Sequence, residues 1–314
     1  MIRKAFKRAV GIPVNTTTDM FFELGLHNTL DKLIEAHNKL VDKKDSCFTC
    51  HFRPKQYEDS SDNRHHRCKP SPPFLMKMKH GLTFAALGAL FSVHLTTVSR
   101  VFYAVLDLLR AKTEGWLVWF SREVVQETMP PSFKEKYPMC RVIIDCTEVP
   151  IKMPPEVSEQ VNCWSSYKSN FTLKFLVGVA PSGLISYESE VFGGRASDTY
   201  ITANCGLFDL LEEDDLVLAD KGFPHIRYDL ESRKVSLIIP PFAHMNEQFT
   251  APEVARTYKI ASPRIYVERC IQRIKVVNIL SRRPPQELRS HVDKIVSMCC
   301  RLANMQKPIL KTQQ

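Results

Sequence analysis

Two apolar, strand-like runs, one near the middle of the chain and one in its second half, each end in an aspartate. Asp145 closes the run RVII, and Asp220 closes the run LVLA. A third acid, Glu268, lies in the helix-like segment PRIYVERCIQRIK. An acidic side chain in such apolar surroundings is costly unless it has a partner. The three positions therefore predict one shared site, formed by two strands and a helix that are far apart in sequence.

The residue types at these positions indicate a metal site. Three carboxylates brought together repel one another unless cations neutralise them. Mg2+ and Mn2+ are hard divalent ions that prefer carboxylate and water oxygens. A pair of such ions can activate a nucleophile and stabilise the leaving oxygen of a phosphodiester. We therefore predict that Asp145, Asp220 and Glu268 are catalytic metal ligands.

Each acid also has an ordinary structural interpretation. Asp145 can bond the backbone at a strand end, and Asp220 can serve as a turn residue before Lys-Gly, where aspartate is common. Glu268 can pair with a neighbour on the surface of its own helix. Taken singly, these readings are reasonable, but they do not explain why three such acids occur together.

The hydrophobic period changes after the prolines near residue 138 and predicts a sheet. The segments CRVIIDCTEVPIKM, FTLKFLVGVAP and LISYESEVFGG alternate as strands, with a tight PSG turn between the last two. A helix is predicted from about Asp198 to Leu211, then the strands DLVLAD and VSLIIPP, then helices over about 262–280 and 290–305. This order predicts an α/β fold with an RNase H-like mixed sheet flanked by helices, in which the first and fourth strands are central neighbours.

Side-chain direction refines the choice of acids. Neighbouring side chains of a strand point to opposite faces, so Asp145 and Thr147 share a face and Glu148 points away. Glu268 has an isoleucine three residues before it and another three residues after it. That spacing predicts that Glu268 lies towards the core side of its helix.

The segment that precedes the sheet has a helical period. FLMKMKHG, TFAALGALFS and HLTTVSRVFYAVLDLLRAKTEG are predicted helices, and only a few residues separate the last two. This layout indicates an all-α helix-turn-helix region, whose second helix offers small polar and basic side chains to the major groove of DNA. The predicted DNA-binding residues are Thr96, Thr97, Ser99 and Arg100. The alternative is an ordinary helical hairpin with a Ser/Thr cap.

The charge balance points to a polyanionic partner. Lysine and arginine number 43 and aspartate and glutamate 34, which gives a formal net charge of +9. Basic surfaces attract nucleic acid through long-range electrostatics. No window approaches the roughly 20 apolar residues needed to span a bilayer, so we expect no membrane partner. The basic run RKAFKR is compatible with import, and we predict a nuclear protein that is cytoplasmic before import.

Composition divides the chain into three parts. Residues 1–73 are predicted to be a helical N-terminal segment and polar linker, 74–138 the helix-turn-helix region, and 139–310 the α/β domain. The ten cysteines suggest no disulfide framework, as expected in a reducing compartment. The linker contains residues of zinc-ligand type whose spacing fits no standard finger. These residues are Cys47, Cys50, His65, His66 and Cys68.

Several motifs in a fixed order resemble one known family. They are IIDCTEVPI, SSYKSNFTLKFLVGVAPSG, FGGRASD, DLVLADKGF, LIIPPF and ASPRIYVERCIQRIK. Together they resemble the DDE superfamily endonuclease domain of Harbinger-like transposases, the group often found with THAP zinc fingers. The likeness covers about residues 74–310 and includes the helix-turn-helix of that family. It implies catalytic acids at Asp145, Asp220 and Glu268, and Asp198 matches a further acidic position sometimes counted among the metal ligands.

The resemblance implies a metal-dependent transposase or nuclease. Such an enzyme hydrolyses a DNA phosphodiester and joins the freed 3′-hydroxyl to target DNA, as a homo-dimer or higher oligomer because two DNA ends need two sites. Asp198 is as well explained by capping a helix. Lys221 stands where the group often has arginine, and no THAP-type finger is seen before the catalytic part. Basic side chains that can meet phosphates near the acids are Lys168, Lys174, Arg195, Lys221 and Arg264.

Two other functions remain open on the sequence. The first is a domesticated, catalytically silent DNA-binding protein that keeps the fold without cutting. The second is an RNase H-type nuclease that acts on RNA–DNA hybrids. A plasmid-nicking assay separates the first from an active enzyme, and a comparison of substrates separates the second.

Overall fold

The computed structural model describes residues 72–240, 265–281 and 283–306. These residues belong to two compact units, one containing the sheet and one containing the helices of 72–114 with 277–281. The described residues 115–138 belong to the unit of the sheet. The predicted N-terminal helices, the RKAFKR segment and the zinc-type residues of the linker lie outside the described residues.

The helices and strands of the described residues are labelled in chain order. Helices α1 to α11 are Pro72–His80, Phe84–Phe91, Leu95–Lys112, Arg122–Thr128, Pro131–Lys136, Val157–Cys163, Asp198–Asn204, Arg227–Ser232, 265–275, Asn278–Ser281 and Val292–Asn304. Short 3-10 helices occur at Glu114–Trp116, Leu207–Leu210, Pro224–Ile226 and Gln286–His291. Strands β1 to β7 are Cys140–Pro150, Trp164–Ser165, Asn170–Val179, Ile185–Glu188, Phe192–Gly193, Leu216–Leu218 and Ser236–Ile238.

The sheet is mixed, with the strand order β2-β3-β1-β6-β7, and β4 and β5 also pair with β3. Strand β1 is antiparallel to β3 and parallel to β6, and β6 is parallel to β7. The long first strand therefore lies between β3 and the fourth predicted strand, as the sequence indicates. The predicted α/β class, with an RNase H-like sheet flanked by helices and preceded by a helical region, is confirmed.

One face of the sheet packs against α7 and α8. Val142 and Ile144 of β1 point into this core beside Val217 of β6, and Ile201 of α7 and Leu230 of α8 cover them. All five side chains are almost fully buried. Because β1 alternates, its odd-numbered residues, including Ile143, face the opposite side of the sheet. The two faces therefore present different side chains of the same strand.

Helices α2 and α3 form a helix-turn-helix in the second unit. The chain between them bends by 107°, within the range of about 90–120° that is typical of such motifs. A Cβ on Gly88 would lie 2.7 Å from the Val93 carbonyl oxygen, so the tight turn requires glycine. His94 caps α3, since its Nδ1 accepts a hydrogen bond from the Thr96 amide at 3.4 Å.

The buried stripe of α3 holds this unit together. Phe102 stacks on Phe74 of α1 with ring centroids 5.3 Å apart and meets Phe84 of α2 edge-on at 5.6 Å. Leu106 and Leu87 are fully buried in the same unit. No single helix of the described residues is long and apolar enough to cross a membrane, although the bent pair α2 and α3 together has that length and composition.

Two predicted helices differ from the observed ones, and helix α6 has no counterpart among the predicted elements. The helix predicted from Asp198 to Leu211 ends at Asn204, because Gly206 adopts a left-handed φ of 82° and starts a 3-10 turn. The helix predicted over 262–280 is broken after residue 275. Helix α6 was not predicted, because its two valines are exposed and its sequence has no apolar stripe.

Candidate active site on strands β1 and β6

Asp145 and Asp220 lie side by side on two neighbouring strands: Asp145 lies in the middle of β1, which continues to Pro150, and Asp220 follows the end of β6. Ile143 of β1 pairs in parallel with Leu218 of β6. Carried two residues further, this register sets Asp145 beside Asp220, and alternation turns both side chains to the same face. Adjacent strands are about 4.8 Å apart. Both aspartates are half-buried. The two neighbouring carboxylates are therefore partly shielded from solvent.

The turn after β6 holds the Asp220 side chain. The Lys221 amide donates to Asp220 Oδ1 at 2.5 Å, and the Phe223 amide donates to the Asp220 carbonyl at 3.2 Å. Phe223 is fully buried and anchors the turn in the core. Asp220 is thus a turn residue, and the same hydrogen bonds orient its carboxylate after the end of β6.

A second charged cluster lies on the opposite face of β1. Lys174 of β3 pairs across the strands with Glu148, and its Nζ lies 3.8 Å from Glu148 Oε1 and 2.5 Å from Asp198 Oδ1. Burial alone would lower the pKa of Lys174, but the hydrogen bond and negative charge of Asp198 outweigh it and raise the pKa. Lys174 therefore stays protonated and neutralises both acids.

Asp198 has a different setting from Asp145 and Asp220. It is the first residue of α7, and the helix cap comes from the Ser197 hydroxyl, which accepts from the Tyr200 amide at 3.1 Å. The Asp198 carboxylate instead bonds the ammonium of Lys174. Capping by Asp198, the alternative considered from the sequence, is therefore not what its side chain does. Its role as a metal ligand stays a prediction.

Gly222 brings the β6 turn against Asp198. A Cβ on Gly222 would lie 2.5 Å from Asp198 Oδ2, closer than real side chains approach. The carboxylate cannot swing aside freely, because Lys174 holds its other oxygen. The turn that carries Asp220 and the helix that carries Asp198 are thus in contact through a position that only glycine fits. The sequence signal for this contact is the Asp-Lys-Gly order, which by itself indicates a turn and not its partner.

Glu268 lies on the exposed side of α9 and not towards the core. The buried stripe of the helix consists of Val267, Cys270, Ile271 and Ile274. The flanking isoleucines lie only about 60° around the helix from Glu268. They were a misleading signal because Ile265 is itself 44% exposed, and of the two only Ile271 belongs to the buried stripe. The expectation that Glu268 points to the core is wrong.

Lys275, on the same face of α9 as Glu268, lies in electrostatic range of the acids of β1. Lys275 follows Glu268 by seven residues, close to two helical turns, so the two share a face. Burial and the nearby charge of Lys168 lower the pKa of Lys275, and the charges of Asp145 and Glu148 partly oppose this shift. Lys275 is therefore in electrostatic range of Asp145. Its position two turns after Glu268 is a signal that sequence reasoning missed.

The predicted triad is only partly assembled. Within the described ranges 72–240, 265–281 and 283–306, no three His, Cys, Asp or Glu side chains form a group that could hold a metal ion. The strand register brings Asp145 and Asp220 together. Their oxygens are the hard donors that Mg2+ or Mn2+ prefers, so this pair fits a divalent ion. The membership of Glu268 stays a prediction.

The predicted DNA-binding residues lie on the first turns of α3. Thr96 and Arg100 are exposed, and Thr97 and Ser99 are half-buried. The Ser99 hydroxyl donates to the Thr96 carbonyl at 3.0 Å, so it satisfies the helix backbone in this structure. Thr96 and Arg100 are thus the exposed two of these side chains, and the Thr96 hydroxyl bonds His94 Nδ1 at 2.8 Å.

The fold and the paired acids define an RNase H-like protein with an attached helix-turn-helix. Residues 144–304, a little more than half of the chain, match the family model of the DDE superfamily endonucleases. Residues 74–115 match the model of the helix-turn-helix of DDE superfamily endonucleases. The chain belongs to the DDE superfamily endonuclease family. A comparison with curated proteins returned no match.

Proposed function

We propose that the chain is a Harbinger-like transposase or nuclease that cleaves and joins DNA phosphodiesters with two divalent metal ions. The observation that carries this proposal is the register of β1 and β6, which aligns Asp145 with Asp220 on neighbouring strands. Membership of the DDE superfamily endonucleases supports the same chemistry and DNA as the partner. Divalent ions, when bound, would supply an activated water and neutralise the charge of the leaving oxygen.

The residues of the chain have distinct proposed roles. Asp145 and Asp220 hold the metal ions, and Glu268 completes the set from α9. The β6 turn orients Asp220 through the Lys221 amide. Lys275, within electrostatic range of Asp145, balances the acids and attracts the phosphate backbone. The exposed Thr96 and Arg100 of α3, with Thr97 and Ser99, bind DNA in the major groove.

Assembly and location are part of the proposal. Two DNA ends require two active sites, which supports a homo-dimer or larger oligomer. A protein that acts on genomic DNA works in the nucleus, and the net charge of +9 suits a polyanionic partner. Size-exclusion chromatography with light scattering, with and without DNA, measures the oligomeric state.

Plasmid nicking by the full chain tests the proposal. We expect supercoiled DNA to be nicked in millimolar Mg2+ or Mn2+ and to stay intact when EDTA removes the metal, because the acid pair needs a cation to act. An RNA–DNA hybrid serves as a second substrate. Faster cleavage of the hybrid than of the plasmid would contradict a DNA-directed enzyme and favour the RNase H-type alternative.

A catalytically silent DNA-binding protein is the second candidate. The arrangement of the acids favours this candidate, because no three side chains of the described residues could hold a metal ion as they stand. The match of 74–115 to the helix-turn-helix model is compatible with either function. Retention of DNA without nicking in any metal would favour this candidate over the enzyme.

Gly222→Ala is expected to slow metal-dependent nicking by about 100-fold, because a new Cβ would displace Asp198 or the turn that orients Asp220. Misplacing a catalytic group by about 1 Å can cost roughly that factor. Initial nicking rates at saturating Mg2+ measure the effect. Gly115→Ala is the matched control, since a Cβ there meets nothing within 4 Å. Equal rates for the two variants would show that the contact with Asp198 does not matter for catalysis.

A further inference from the structure

Two aromatic side chains are exposed on the hairpin of β2 and β3. Trp164 is 42% exposed and Tyr167 is 84% exposed. Tryptophan is strongly buried on average in folded proteins, so an exposed ring is informative. Trp164 pairs across the strands with Phe171, whose ring meets it edge-on with centroids 5.1 Å apart. This contact fixes the Trp164 ring from one side and leaves the other side open.

Positive charges flank these rings. Lys168 Nζ lies 4.4 Å from the centroid of the Tyr167 ring. The Lys168 amide donates to Ser165 Oγ at 3.3 Å, and this bond closes the turn. Arg195 is exposed, and its amide donates to the Asn162 carbonyl at 3.1 Å, so it is attached to the end of α6 just before Trp164. The hairpin thus combines open aromatic faces with cations.

The hairpin of β2 and β3 lies beside the carboxyl end of β1, the strand that carries Asp145. Pro150 of β1, five residues beyond Asp145, pairs with Thr172 at the start of β3. At about 3.3 Å per residue, the distance along the strand is roughly 17 Å. Lys275 lies in electrostatic range of both Lys168 and Asp145. A nucleic acid strand held at the acids can therefore reach the hairpin within a few nucleotides.

We propose that Trp164, Tyr167 and Lys168 bind single-stranded or locally unpaired DNA that flanks the scissile phosphate, with bases stacked on the two rings. This inference deepens the proposed endonuclease function and rests on it for the position of the scissile phosphate. Stacking of one base on an aromatic ring strengthens binding by roughly fivefold to a hundredfold and tolerates any base. Lys168 and Arg195 meet the phosphates of the same strand.

The chemistry of the surface favours an unpaired strand over other occupants. A duplex keeps the faces of its bases inside the stack and cannot offer them to Trp164 and Tyr167. Val157 and Val161 of α6 are also exposed, and an apolar protein partner could use them. An apolar protein partner would not complement the charges of Lys168 and Arg195, whereas DNA phosphates would.

The test measures DNA binding by the full chain in EDTA, so that no cleavage occurs. The probes are a labelled 15-nucleotide oligothymidine and a labelled 15-base-pair duplex at one salt concentration, read by fluorescence anisotropy. Trp164→Ala and Tyr167→Ala are each expected to weaken binding of the oligothymidine about tenfold and to leave duplex binding unchanged. Trp164→Phe keeps a ring and is expected to retain most of the affinity.

Tyr228→Ala is the matched control. Tyr228 of α8 is 83% exposed, as open as Tyr167, but it lies outside the hairpin. This variant is expected to bind both probes like the wild type. Intrinsic fluorescence gives a second readout, because Trp164 is the exposed one of the three tryptophans and Trp116 and Trp119 are half-buried. Oligothymidine should quench the wild-type emission and leave that of Trp164→Phe nearly unquenched.

The outcomes separate this surface from the catalytic proposal. If both alanine variants bind oligothymidine with wild-type affinity, the proposal that the hairpin binds unpaired DNA is wrong, even if nicking remains metal-dependent. Equal losses for single strand and duplex would overturn stacking in favour of general phosphate binding. If the wild type nicks no plasmid in any metal but the alanine variants still lose oligothymidine selectively, the hairpin stands and the catalytic proposal fails. Circular dichroism verifies that each variant is folded.

Discussion

Asp145→Asn is expected to reduce metal-dependent plasmid nicking by roughly 1,000-fold. Asparagine keeps the size of the side chain but removes the charge, and Asp145 is one of two acids that the register of β1 and β6 sets side by side. Metal ions contribute several kcal/mol of transition-state stabilisation, and each 1.36 kcal/mol is a factor of ten in rate. Single-turnover nicking in Mg2+ and in Mn2+ measures the loss.

Two controls show whether the loss is specific to the site. Asp229→Asn removes an exposed acid from α8 and should nick like the wild type. Glu148→Gln removes an acid from the same strand as Asp145 but on the opposite face, where Glu148 accepts from the Thr172 hydroxyl at 2.7 Å and lies near Lys174. We expect a much smaller loss from Glu148→Gln. Equal nicking by wild type and Asp145→Asn would rule out the assigned acids.

Metal binding also has a readout that does not depend on activity. Two neighbouring carboxylates repel one another, so millimolar Mg2+ should raise the melting temperature of the wild type by binding the folded state. Asp145→Asn should show a smaller rise, because it relieves the repulsion and loses a ligand. A wild-type melting curve that is indifferent to metal would count against the site even if nicking were observed.

Asp215→Ala is expected to lower the free energy of unfolding of the sheet unit by about 3–5 kcal/mol, because it breaks a buried ion network. Asp215 is 1% exposed, and its Oδ1 lies 3.0 Å from Arg122 Nη2. Its Oδ2 accepts from the Glu212 amide at 2.9 Å and lies 3.7 Å from Arg141 Nε. Without Asp215, the buried guanidinium of Arg141 loses a buried acidic partner and keeps Glu212, which is 57% exposed, at 3.1 Å.

Urea unfolding followed by circular dichroism measures this change. Asp209→Ala is the matched control, since Asp209 is 76% exposed and pairs with Arg233 at 3.3 Å on the surface. Surface ion pairs contribute about 0–1 kcal/mol, so the control should unfold almost like the wild type. If Asp215→Ala shifts the urea midpoint no more than Asp209→Ala does, the network around Arg141 does not stabilise the fold.

Local patterns predicted most of the fold but missed elements without an apolar period. The alternating runs correctly indicated β1, β3 and the strands after them, because buried strands leave a period of two in the sequence. Helix α6 left no such signal, since its valines are exposed. The end of α7 depended on the left-handed backbone of Gly206, which a periodic pattern does not reveal.

The candidate site shows a similar division. The acids of β1 and β6 could be predicted, because each follows an apolar run and the predicted fold makes the two strands neighbours. The orientation of Glu268 could not, because flanking isoleucines suggested a core position and the buried stripe of α9 begins one residue earlier, at Val267. The partner of Asp198 was also missed, since Lys174 comes from a strand 24 residues earlier in the chain.

The amino-acid sequence by itself determined the order of strands and helices and the presence of two acids after apolar strands, because these depend on local periodicity and residue type. Only the tertiary structure decided that Asp145 and Asp220 share one face, that Lys174 binds Asp198, and that Gly222 contacts that carboxylate. Those relations depend on strand register and on contacts between distant segments, which no local pattern specifies.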